Sequence, residues 1–127
     1  MMTAHQLVEA LSQTEDSFEV VTVSLMSMDT DGMDKAIIEA DMRMENILMA
    51  LKMDTSGDLK KEVVSLLAGS IMETVLRLES IDTVPLWEDL EAAIKAVDEN
   101  VPSEVLDLLK KFLASRALIH EIAVALY

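Results

Sequence analysis

Apolar residues recur every three or four positions along nearly the whole of this chain, and short clusters of Asp, Thr, Ser and Gly interrupt them. That spacing gathers apolar side chains on one side of an α-helix, and such a side must be buried against another helix. The spacing therefore predicts an all-α fold. We expect one domain over residues 1–127, an antiparallel bundle of five or six helices with the segment 59–78 at its centre. A chain of 127 residues is long enough to bury a core without covalent staples.

Six helical segments are read in order. Thr3 to Leu11 opens with Thr3 and Gln6 at capping-box spacing, and Leu7, Val8 and Leu11 form its apolar face. Ser17 to Met28 is ambiguous. Phe18, Val21, Leu25 and Met28 suit a helix, whereas the alternation of Val21, Val23 and Leu25 with Thr22 and Ser24 suits a strand. No second strand is available to pair with it, so a helix is expected. Asp29-Thr30-Asp31-Gly32 is a turn that caps the third segment, Met33 to Met53, whose stripe is Ile37, Ala40, Met44, Ile47 or Leu48, and Leu51. Glu39 and Arg43 form an i,i+4 pair on its solvent side.

Asp54-Thr55-Ser56-Gly57-Asp58 caps the fourth segment, Leu59 to Leu78, which is apolar around most of its circumference and for that reason belongs in the middle. Gly69 costs this helix about 1 kcal/mol of propensity relative to Ala, and close approach of a second helix at Ala68-Gly69-Ser70 would compensate. Pro85 starts the fifth segment, with Leu86, Leu90, Ala93 or Ile94, and Val97 inward and Trp87 beside them. The sixth follows Pro102 and Ser103, with Leu106, Leu109, Leu113, Ala117, His120, Val124 and Tyr127 inward. The two turns share the pattern Met-Asp-Thr-x-Gly; a duplicated unit would give this, but recurrent turn chemistry is the favoured explanation.

The charge limits the partners. Asp and Glu number 24 against 10 Lys and Arg, a formal charge of -14. Such a surface repels phosphate backbones and anionic lipids, which argues against direct contact with nucleic acid or membrane. No charge-free stretch approaches the length of a membrane span, and no secretory signal is read at the N-terminus, so a cytoplasmic protein is expected.

Reactive groups are few: no Cys, two His and one Tyr. An EF-hand reading of the Asp29 loop fails, because Met33, Asp34 and Ala40 occupy loop positions 5, 6 and 12. The Asp54 loop fails the same way at Leu59 and Ser65. Arg116 and His120 resemble, loosely, the Arg and His pair of helical ribonucleases, one residue short of its spacing; a His on a buried stripe with a hydrogen-bond partner, and an Arg snorkelling at its edge, is the favoured reading. His120-Glu121 lacks the Glu-x-x-His spacing of bundle metal sites. The reading is of a chain without catalytic residues, metal or cofactor.

Contact residues are the better candidates. Among ten Met, Met42, Met49 and Met53 lie beside the main stripe of the third segment, as extra core or as a groove or dimer face. Leu126 and Tyr127, in the apolar last turns, either close the core or dock elsewhere. Leu51-x-Met53-Asp54-x-x-Gly57-Asp58-Leu59, with a helix on each side, resembles the central turn of flagellin-type export chaperones over about a third of the chain. That resemblance implies an antiparallel bundle that holds a secreted subunit before export. The aromatic residues of that family's next helix correspond here to Leu67 and Gly69.

Three functions are thus expected in order: a non-catalytic interaction module (adaptor, export chaperone or inhibitor) that meets another protein, a basic one included, or its own copy as a homodimer; an acidic mimic of nucleic acid; and a helical nuclease using Arg116 and His120.

Overall fold

The computed structural model describes residues 2–81, 88, 92 and 102–127. The described residues are all-helical, with no strand. Their five helices are α1 (Ala4–Met26), α2 (Thr30–Met53), α3 (Asp58–Leu67), α4 (Ile71–Ser80) and α5 (Ser103–Leu126). The expected fifth segment, with Pro85, Leu86, Trp87, Leu90, Ala93, Ile94 and Val97, lies outside the described residues.

The first two expected segments are one helix. Thr3 caps it as its spacing predicts: the Gln6 N–H donates to Thr3 Oγ1 at 3.2 Å, and the Thr3 N–H to Gln6 Oε1 at 2.9 Å. The helix then runs unbroken through Ser12 to Ser17, a polar stretch that looks like a connection. Thr14 and Ser17 point inward at the spacing set by Leu7, Leu11 and Val21, and both are buried. Burial is tolerable because each hydroxyl donates within its own helix, Thr14 to the Ala10 carbonyl at 2.8 Å and Ser17 to the Gln13 carbonyl at 3.1 Å. The possible strand at Val21 to Leu25 is helix.

A Schellman turn ends α1. The Asp29 N–H reaches back to the Ser24 carbonyl at 2.8 Å and the Met28 N–H to the Leu25 carbonyl at 3.1 Å, with Met28 in the left-handed position at φ 57°. Asp29 then caps α2 through the Gly32 N–H at 3.0 Å, so Gly32 lies inside the helix rather than in the turn. The second Asp-Thr-x-Gly turn is built differently. Asp54 accepts from the N–H groups of Leu59 and Lys60 at 3.2 and 3.0 Å, and Gly57 is the left-handed residue at φ 77°. The shared motif thus has no shared conformation, and capping is what both aspartates do.

The segment from Leu59 to Leu78 is not one central helix. It breaks at Gly69, whose φ of 80° ends α3 and lets Ser70 cap α4 through the Glu73 N–H at 3.0 Å. The Glu73 carboxylate also takes the Gly69 N–H. No atom lies within 4 Å of where a Gly69 Cβ would stand, so the residue serves the backbone angle and not close helix packing. Gly69→Ala should cost about 1–2 kcal/mol in urea unfolding, from the left-handed angle alone. Because the segment is two short helices, its apolar residues divide. Leu59, Val63, Leu67 and Leu76 are buried, whereas Ile71 is 79% exposed, and Leu66 and Leu78 are exposed too.

The core lies between α1, α2 and α5, with α3 and α4 closing one end. The larger cluster joins Leu7 and Leu11 to Met44, Ile47, Val63 and Ile122; the smaller joins Val21, Met33, Ile37 and Leu108. Between them sit the buried hydroxyls of Thr14, Ser17 and Ser115. Arg43 crosses there from α2 and donates to Ser17 Oγ at 2.5 Å and to the Gln13 carbonyl at 3.3 Å. Its pair with Glu39, expected from spacing, is present but long at 3.9 Å. Phe18 and Phe112 meet edge to face across the same level, ring centres 5.4 Å apart.

The inward face of α5 is rotated from the expected one. Leu106 is buried as expected, but beyond it the buried residues include Leu108, Ser115, Ile119, Ile122 and Leu126, while Leu109, Leu113, Ala117 and His120 are half-buried and Val124 and Tyr127 are exposed. Two apolar stripes one position apart run along this helix. The one chosen contains Ser115, whose hydroxyl is satisfied by the Lys111 carbonyl at 3.1 Å.

Candidate functional site

On α2 the core stripe leaves the far side of the helix open, and that far side is apolar too. At 100° per residue, Ile38, Met42, Met49 and Met53 fall within a sector about 60° wide, opposite Ala40, Met44 and Ile47. Their exposures are 51%, 60%, 61% and 62%. A helix held by one packed face has no folding need for a second apolar one, and methionine is a side chain that adapts to varied surfaces. Three of the four are the sequence-derived candidates. Ile38 was missed, although its spacing of four from Met42 is the signal that finds it.

The other two candidates part company with this surface. Leu126 is only 2% exposed and packs in the larger core cluster, where it closes the core at the end of α5, the first of the two roles expected of it. Tyr127 is partly exposed, and its ring lies under the Arg77 guanidinium of α4, 5.3 Å from ring centre to charge. That contact fastens the end of α5 to α4.

Among the clefts between the described helices, two hold the remaining candidate residues. One, of about 600 Å³, lies between the end of α2, the start of α3 and the end of α5, where Leu48, Leu51, Lys52, Lys60, His120 and Val124 contribute to its lining. The other, of about 370 Å³, lies between α1, α4 and α5, with Phe18, Met72, Val75, Glu79, Phe112 and Arg116 among its walls. Arg116 and His120, one turn apart in sequence, therefore face different clefts. Arg116 is turned to α4, where its Nη2 pairs with Glu79 Oε1 at 3.3 Å.

Among the described residues, no three His, Cys, Asp or Glu side chains converge as a metal site would need, and no helix is long and apolar enough to cross a membrane. A second set of exposed apolar residues, Ile71, Val75 and Leu78, runs along α4 and was not anticipated. Against family models, curated proteins and solved structures, the chain has no match.

Proposed function

We propose that this chain is a non-catalytic protein-interaction module, an antiparallel helical bundle whose contact surface is the outer face of α2. The observation that carries the reading is the double apolar character of that helix: Met44 and Ile47 fill the core while Met42, Met49 and Met53 stand in solvent. An adaptor, an export chaperone or an inhibitor all work through such a face, and the surrounding acid keeps it soluble until it is covered.

The test is the double substitution Met49→Asp with Met53→Asp. Both side chains lie outside the packed core, so helicity by circular dichroism and the unfolding midpoint should stay near those of the parent. Affinity capture with the parent chain should retain proteins that the double variant loses. Equal capture by both would remove α2 from the contact, and loss of helicity would return these residues to the core.

A further inference from the structure

We infer that the outer face of α2 is built to pair with a second copy of itself, with the two helices running in opposite directions about a two-fold axis between Glu45 and Asn46. The inference rests on the reading of this face as a contact surface and names its occupant. The four exposed apolar residues are spaced four, seven and four apart. That order is the same read in either direction. Reversing one helix about the midpoint sets Ile38 level with Met53 of the other copy, and Met42 level with Met49. A two-fold interface requires this property, because one patch must complement itself.

The flanks agree with the register. About the same axis, residues on one flank meet residues on the same flank of the other copy. Asp41 and Lys52 share a flank, about 20° apart around the helix, and the reversal brings them within two residues of the same level, about 3 Å along the axis. Each copy thus offers a carboxylate where the other offers an ammonium, twice over. Lys52 has no ion pair among the described residues and is exposed. Opposite charge at flanking positions is how paired helices select orientation. Near the axis Asn46 meets Asn46, which can exchange amide hydrogen bonds, while Glu45 meets Glu45, which opposes association.

The size of the surface sets the strength. Its apolar part runs from Ile38 to Met53, about 22 Å of one helix, and a single helix face lies at the low end of specific interfaces. The expected dissociation constant is accordingly on the order of micromolar, not nanomolar.

The natural chain has no cysteine, so single introduced thiols report the register without interference. Sedimentation equilibrium of the full chain should show a concentration-dependent dimer, and Met49→Glu should weaken it by about tenfold or more while circular dichroism stays unchanged. With a short bismaleimide, Ile38→Cys mixed with Met53→Cys should cross-link between copies. Ile38→Cys alone should not, its two thiols being about 22 Å apart. A parent chain that stays monomeric at its highest soluble concentration overturns the inference, as does a dimer indifferent to Met49→Glu. Efficient linking of Ile38→Cys to itself overturns the reversed orientation. A monomer whose captured proteins still depend on Met49 and Met53 would sink the pairing and leave the interaction reading intact.

Discussion

Met44→Ala is expected to lower the free energy of unfolding by about 2–5 kcal/mol, against less than about 0.5 kcal/mol for Met42→Ala two residues away. Met44 has no exposed surface and packs among Leu7, Leu11, Ile47 and the end of α5. Truncation there removes three heavy atoms and leaves a cavity that three helices would have to shift to fill. Met42 has most of its surface in water already, so its loss changes little in the folded chain. Urea denaturation of the two variants beside the parent gives the comparison. Similar losses would mean that the outer face is packed after all.

Leu126→Ala is the second large effect, again about 2–5 kcal/mol. The residue is one from the end of the chain, where ordinarily a substitution costs little because the last turn frays. Here the last turn of α5 is enclosed: Ile122, Ala123 and Leu126 sit in the larger cluster, and Tyr127 lies against Arg77. Tyr127→Ala should cost far less, about 0.5–1 kcal/mol, since an exposed cation–π contact is the main thing lost. Thermal unfolding of both variants separates the anchor from its neighbour. A neutral Leu126→Ala would show the end to be frayed.

How legible the molecule was depends on what each residue advertises. Thr3 with Gln6, the cap at Asp54 and the α2 stripe through Met44 could be read directly, because capping and periodicity are local chemistry. The position of Met42, Met49 and Met53 outside the core could be read for the same reason, as apolar residues off a well-defined stripe. The interior of α1 was not. Thr14 and Ser17 look like punctuation, and only the bond each makes to its own helix four residues back lets them be buried. Gly69 misled in the opposite sense. An isolated glycine in an apolar run reads as a tolerated helix residue, whereas a left-handed angle is a property of the backbone that no side-chain pattern announces. In α5 the two stripes are nearly equal in apolar content, and the choice between them is made by α1, α2 and α4, not by the helix itself.

The hydroxyl level at Thr14, Ser17 and Ser115 has a consequence for how the interior responds to change. Those groups are satisfied inside their own helices, so neither apolar half needs the other to complete its polar bonding. The level acts as an insulating washer. Repacking around Val21, Met33 and Leu108 can reach Leu7, Met44 and Ile122 chiefly through the helix backbones, the Arg43 bonds to Ser17 and Gln13, and the edge-to-face rings of Phe18 and Phe112. One end of the molecule is therefore free to drift in sequence while the other keeps its shape.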